Sequence, residues 1–298
     1  MCDESSFGEQ TWEKAESRMQ KDAVNKALEK AVLSTKDIDC IFAGDLLNQC
    51  ISSSYGLRDL GIPFLGVYGA CSTMAESLGL ASVFVDTNAA DKALAVTSSH
   101  FCSAERQFRF PLEYGSMRPP TAQWTVTGSG SCVIGKSQDG PYVKNVCFGT
   151  IEDMGIKDIN NMGAAMAPAA AKTITKFFND TKTDESKYDK IFTGDLGYVG
   201  TRLLYELMDE QHYDIREKHS DCGLMIYDMH DGDVNAGGSG CGCGASVLCG
   251  YILNEIENGH FNNVLFIATG ALMSTTSIQQ GESIPAVAHL IHISSQKN

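Results

Sequence analysis

Ile191-Phe-Thr-Gly-Asp-Leu196 restates Ile41-Phe-Ala-Gly-Asp-Leu46 at a spacing of 150 residues (191 against 41). Each copy follows a helical stretch with Ser, Thr, Lys and Asp just before the apolar run. Upstream of the first copy, Trp12, Ala15, Met19, Ala23, Ala27 and Ala31 recur at steps of three and four, which predicts a helix over 11–33. The first copy itself predicts a strand over 38–45, and Ile62–Tyr68 a second strand. Gly69-Ala-Cys-Ser-Thr73 is a turn of small residues that opens a helix over 72–85, with Met74, Leu78, Ala81 and Val85 on its apolar face. Lys92–Ser98 reads as a buried strand. Phe101–Pro120, with Pro111, Pro119 and Pro120, reads as a long loop. Trp124–Gly135 and Tyr142–Phe148 read as two more strands.

The second half keeps this order. Gly237–Ser246 (GGSGCGCGAS) opens a helix through Ile256, and Val264–Thr269 is a buried strand. Aligning Ala93 with Val264 sets Cys71 opposite Gly242, between Cys241 and Cys243. Match, order and spacing together imply an internal duplication, with halves 1–150 and 151–298. Alternating strands and helices imply mostly parallel sheets covered by helices. Gly-rich turns then lie at the carboxyl ends of strands, where open α/β sheets bind ligands. A pseudo-twofold between the halves makes the two turns face one another at the centre.

Cys71 stands at a helix start behind Gly69-Ala70, where unpaired amides and the helix dipole favour a thiolate. The same context suits a small core cysteine. Cys241 and Cys243 share a run with five glycines in eight residues, which admits close approach by a ligand or by an opposing helix. Of seven histidines, His100 follows the Ala93 strand at its carboxyl end. His212, His219, His230 and His260 sit in polar stretches and read as solvated, and His289 and His292 face opposite sides of the last strand. Arg106, Arg109 and Arg118 lie among Phe108, Phe110 and Tyr114, a pattern that suits either a cationic aromatic wall or a solvated loop. Asn161-Met162 begins a small-residue stretch that suits a pocket lid or a helix contact. Gly128-Ser-Gly130 lacks the lysine and spacing of a phosphate loop.

The 298 residues carry 23 Lys+Arg and 37 Asp+Glu, a net charge of −14. That charge argues against nucleic acid and against an anionic membrane surface as partners. The longest apolar run, near Val264–Met273, is too short to cross a bilayer. The acidic start MCDESSFGEQ lacks the layout of a signal peptide. A soluble intracellular chain is expected. Its eleven cysteines are then mostly small buried hydrophobes, and no CxxC pairs suggest a metal site.

The duplicated halves, the GACS turn, TVTGSGSCVIG and the late Gly-rich turn together resemble the thiolase and ketoacyl-synthase superfamily. Within it, TWEKAESRM (11–19), YGACSTMAESL (68–78), SSHFCSAERQFRFPLEYGSMRPPTAQWTVTGSG (98–130), MGAAMAPAAAKT (162–173) and GGSGCGCGASV (237–247) resemble the stage V sporulation protein AD family of spore-forming Firmicutes. The resemblance runs from Phe7 to the carboxyl end. It implies a five-layered αβαβα fold with mostly parallel five-stranded sheets, and a homodimer built on the Ala93–Ser99 strand. It also implies a sporulation role: binding dipicolinic acid, with or without calcium, and loading it into the spore with membrane proteins of the same complex. The chain would then sit at the inner forespore membrane through those partners.

Cys71 matches the superfamily nucleophile. The partner His and Asn positions fall near Gly194-Asp195 and near Cys241, so neither partner is present. A non-catalytic binding site is therefore expected, lined by Cys71, His100, Met162, Asp195 and Cys241, with Arg118 meeting the ligand's carboxylates. No resident cofactor or metal is implied. The rival reading is an acyltransferase that forms an acyl-thioester on Cys71; a third is a structural subunit with a vestigial pocket. The chain also starts at the helix that follows the family's first strand. On the sequence alone, loss of a central strand would leave ladder hydrogen bonds unmade.

Overall fold

The computed structural model describes residues 4–108, 118–137, 139–230 and 234–297. Helix α1 (Trp12–Lys30) is followed by β1 (Cys40–Gly44), α2 (Ile51–Leu57), β2 (Phe64–Gly66), α3 (Thr73–Asp86), β3 (Lys92–Ser99) and α4 (Phe101–Phe108). Then come β4 (Trp124–Thr125), β5 (Gly128–Gly135), β6 (Tyr142–Phe148), α5 (Met162–Thr181), β7 (Lys190–Thr193), α6 (Gly197–Glu210), β8 (His219–Asp221) and α7 (Cys222–Met225). The chain ends with β9 (Gly238–Ser239), α8 (Cys241–Val247), α9 (Leu253–Glu257), β10 (Asn263–Ala271), α10 (Thr275–Gln279) and β11 (Ala286–Ser294).

Burial on both faces makes the central strands continuously apolar, as parallel sheets require. On β1 and β3, Ile41, Ala43, Leu94 and Val96 face one way and pack with Val24 and Leu28 of α1 and Leu57 of α2. Phe42, Ala93 and Ala95 face the other way and join Met74 and Leu78 of α3, Ala245 and Val247 of α8, and Phe192 and Phe266 of the second half. Leu265 and Ile267 of β10 turn outward onto Ile174 and Phe178 of α5 and Leu204 of α6. Five layers result: α1 and α2, the first sheet, α3 with α8, the second sheet, α5 with α6.

The first sheet runs β2-β1-β3-β5 and the second β6-β11-β10-β7-β8. In the first, β2, β1 and β3 are parallel and β5 is antiparallel to β3. In the second, β8, β7 and β10 are parallel and β11 is antiparallel to β10. The two series therefore correspond strand for strand. The extra strand β6 pairs with β11 and precedes residue 150, yet belongs to the second sheet. Its counterpart would lie beside β5, at the edge of the first sheet. A strand in that place would be an edge strand, not a central one, and the β1–β3 ladder is complete without it.

Other expectations need correction. Phe101–Phe108 is helical, not loop; Arg109, Phe110, Pro111 and Tyr114 lie outside the described residues. Trp124–Gly135 is two strands: β4 pairs with β9 of the other half, and β5 joins the first sheet. His219 is buried on β8, bonded to Thr193 and Tyr205, and desolvation lowers its pKa to about 3. Strand β3 is hydrogen-bonded on both sides, to β1 and β5. It has no free edge, so a second copy cannot extend the sheet along Ala93–Ser99.

A buried acid pair ties α1 to the end of β1. Glu16 accepts from Ser98 Oγ at 3.0 Å and Ser103 Oγ at 2.7 Å. Asp45 accepts from the Leu47 and Ser53 amides, at 2.9 and 2.8 Å, and from Ser53 Oγ. Burial, then the Asp45 charge, pushes Glu16 up to about 8. Burial raises Asp45 too, but its amide donors favour the charged form, so Glu16 carries the proton. The folded pKa of Glu16 lies above its ordinary 4.5, so its stabilising contribution is full below pH 4.5 and is lost as pH climbs toward 8. Glu16→Gln should flatten the fall in stability across that window, which amounts to a few kcal/mol at about 1.4 kcal/mol per pKa unit. Denaturant midpoints measured from pH 5 to 8 check this; equal slopes in both proteins would refute the proton assignment.

Candidate functional site

The Cys71 turn is fixed by close backbone contact with the other half. Ala70 has φ +50, a left-handed conformation costing a non-glycine residue about 1 kcal/mol or more. Ser72 Oγ donates to Gly69 O at 2.6 Å and Thr73 Oγ1 to Ala70 O at 2.7 Å, which holds the strained turn shut. A Cβ on Gly270 of β10 would fall 2.1 Å from Gly69 O, so only glycine lets the turn rest on that strand. The matching turn begins at Gly240, φ +104, where a Cβ would lie 2.6 Å from Ser99 Oγ of β3.

Between the turns lies the Asp195 carboxylate. Oδ2 accepts from Ser239 Oγ at 3.0 Å and from the Gly240 amide at 2.9 Å; Oδ1 accepts from Thr269 Oγ1 at 2.9 Å. Burial raises the Asp195 pKa, while hydrogen bonds from Cys71, Gly240, Thr269 and Ser239 oppose that rise. Cys71 Sγ lies 3.9 Å from Ser239 Oγ. Burial, and then the Asp195 charge, push the Cys71 thiol well above its ordinary value. The sulfur is therefore a protonated donor beside a carboxylate. A thiolate here would need a cation or a base, and among the described residues no histidine lines the cavity.

That cavity, of ≈ 50 Å³, opens beside Cys71. Leu46, Ala104, Phe108, Ile159, Met162 and Met273 make it mostly apolar; Tyr68, Glu105, Thr125 and Ser239 supply the polar atoms.

Of the six residues expected to form the site, Cys71 and Met162 line it. Asp195 stands directly behind Ser239. Cys241 packs against Cys71 and Leu46 from the far side, its thiol donating to Ser98 O at 2.9 Å. The other two are elsewhere. His100 is buried, its Nδ1 accepting from the Cys102 amide at 3.1 Å, which leaves Nε2–H to donate to Ser5 O at 2.9 Å; Trp12 packs on its ring. Arg118 is bound to buried Glu105 at 3.0 Å, donates to Gln123 O, and lies 4.1 Å from the Trp124 ring centre. It supports the cavity wall through Glu105 and does not reach the interior.

Residues 1–294 match the family described as stage V sporulation protein AD. The chain is 48% identical over 287 residues to stage V sporulation protein AD of Bacillus subtilis (strain 168), covering 96% of this chain and 85% of that one. The chain belongs to the stage V sporulation protein AD family. Among solved structures, 3-oxoacyl-[acyl-carrier-protein] synthase III from Aquifex aeolicus VF5 aligns with TM-score 0.59 at 14% identity, covering 95% of this chain and 85% of that chain. A point variant of OleA from Xanthomonas campestris aligns with TM-score 0.61 at 14% identity, covering 93% and 80%. At that identity they establish the fold alone: this sporulation protein has the thiolase-like fold of the ketosynthases.

Sequence reasoning missed Tyr68, Glu105, Thr125, Ser239 and Met273 as cavity residues. Ser239 carried a signal, since it sits in the glycine run two residues before Cys241. The protonated state of Cys71 is directly measurable in this family member. Each pKa unit of elevation removes about 90% of the thiolate at fixed pH below the pKa. Iodoacetamide should modify Cys71 at pH 8 at least about 10-fold more slowly than it does a free-cysteine peptide. A rate equal to the peptide's would show that the Asp195 environment does not hold the proton.

Proposed function

We propose that this member of the stage V sporulation protein AD family binds dipicolinic acid as its calcium chelate beside Cys71, without catalysis, for uptake into the developing spore. The observation carrying this reading is the charge of the cavity wall. Glu105 is the one carboxylate among the described lining residues and is already paired with Arg118 behind it, no described Lys or Arg lines the cavity, and most of the remaining surface is apolar. A free dianion would enter an apolar space with no described cation facing it, which is costly. Calcium dipicolinate is neutral, has a flat aromatic face, and leaves the calcium open to oxygen ligands such as a carboxylate or hydroxyl. A protonated Cys71 suits a binding wall better than a nucleophile.

The space needs to grow. A buried water occupies about 10–15 Å³ on this measure, so ≈ 50 Å³ holds a few waters, less than a pyridine ring with two carboxylates. Met162 and Met273 are the unbranched, adaptable side chains that can yield. Calorimetry should give saturable binding for calcium dipicolinate and binding at least about 10-fold weaker for dipicolinate with a calcium chelator present. Met162→Trp should abolish the heat by filling the space. No saturation with either form would end the proposal, and full binding by Met162→Trp would move the site elsewhere.

The strained Cys71 turn favours one rival, acyl transfer through a thioester. A mass gain on incubation with acyl-CoA, absent from Cys71→Ala, would establish it in place of the binding role.

Assembly belongs to the same proposal. With β3 enclosed, the outer edges of the first sheet are β2 and β5, each unpaired on one side among the described residues, and Phe64 of β2 is 42% exposed. In this proposal a second copy pairs at the β2 edge. Phe64→Glu should convert dimer to monomer in light scattering; an unchanged mass would exclude this edge. No described helix is long and apolar enough to cross a membrane. Contact with the spore's inner membrane runs, in this proposal, through membrane proteins of the same complex.

A further inference from the structure

Cys132 and Cys249 stand apart from the Cys71 site and are not explained by it. Cys132 is on β5, opposite Ala95 of β3. Cys249 lies in the single π-helical turn Leu248–Ile252 that continues α8. Such turns commonly mark a position where an inserted residue re-aims its neighbours. Here the Cys249 sulfur reaches β5, 3.6 Å from Cys132 Sγ and 3.7 Å from Ser131 O. Both residues are half-buried, as is Cys102, whereas Cys40, Cys50, Cys71, Cys147, Cys222, Cys241 and Cys243 are buried. Next to Cys249, a Cβ on Gly250 would meet nothing within 4 Å, so the approach is open on that side.

We propose that Cys132 and Cys249 form a reversible disulfide by exchange with a low-molecular-weight disulfide. Closing from 3.6 Å to a bond of about 2.05 Å requires the sulfurs to approach by roughly 1.5 Å, within reach of side-chain rotation and a small shift of the π turn. The hydrogen bond with Cys249, and then burial, keep Cys132 a thiol well above its ordinary range. Cys249, beside the open Gly250 side, is the first nucleophile. Its thiolate, having released a proton to solvent, attacks one sulfur of RSSR, forms a mixed disulfide and expels RS⁻. Cys132 then gives up its proton and attacks the Cys249 sulfur, expelling the second RS⁻. Two protein thiols and one RSSR become one protein disulfide and two RSH, with no other oxidant.

The bond would join β5 to the far end of the α8 segment, which starts beside Ser239. It would close a span of 117 residues, removing freedom from the unfolded chain and raising the melting temperature.

The test is incubation of the full chain with oxidised glutathione, followed by intact mass and by peptide mapping after alkylation without reductant. The wild type should lose two hydrogens, retain no glutathione, and yield a Cys132–Cys249 linked peptide. Cys132→Ser should stop at one glutathione on Cys249, and Cys249→Ser should not close. The map on wild type stands even where a variant fails to fold. Persistent glutathionylation without closure, no change in mass, or a disulfide between other cysteines would each overturn the proposal.

Discussion

Two backbones can lie against one another only where no side chain intervenes, and the centre of this protein is built on that constraint. A Cβ on Gly242 would sit 2.3 Å from Gly128 O, and one on Gly270 would sit 2.1 Å from Gly69 O. Each Gly-rich turn therefore rests on the sheet of the opposite half. These contacts set the height of α3 and α8 between the sheets, and with it the position of Cys71 opposite Ser239 and Asp195. Larger residues at either contact would separate the halves where the cavity is formed.

The turns also solve a charge problem. Asp195 is 1% exposed, and its partners are hydroxyls, an amide and a thiol. A buried carboxylate held this way stays costly unless every lone pair is served. Its repeat-mate Asp45 meets the same demand differently, with the Leu47 and Ser53 amides and a protonated Glu16 nearby. The Gly-Asp-Leu segment recurs at the ends of β1 and β7, in two different environments. One copy locks α1 and α2 to the first sheet; the other holds a thiol in its protonated form at a cavity.

Much of this was legible in the sequence because it is local or periodic. The repeated hexapeptide, the apolar strands and the two small-residue turns led to the layers and to Cys71, Met162 and Asp195. What was missed depends on contacts distant in sequence. Arg118 read as a cation facing a ligand because it lies among aromatics. The aromatics are real partners, Phe101 and Trp124, but they clamp the guanidinium against Glu105 thirteen positions upstream, on a helix that three prolines had disguised as loop. His100 read as a pocket rim from its place after β3; Trp12 and Ser5, from the start of the chain, enclose it. Strand β3 is interior for a related reason, since sequence order does not reveal which strand of a sheet is the edge.

The placement of Arg118 against Glu105, outside the described cavity lining, bears on the proposed function. A chain with net charge −14 gives a dianion no long-range attraction, and a cavity with Glu105 in its wall gives it no local one. Binding of free dipicolinate would then need a cation from outside the described lining. In the proposed reading, calcium carried with the ligand supplies that charge. The apolar walls, unhelpful to a dianion, become the right surface for the ring of a neutral chelate. On this logic a described lining without histidine, lysine or arginine has one consequence: the site is suited to a complex that brings its own positive charge.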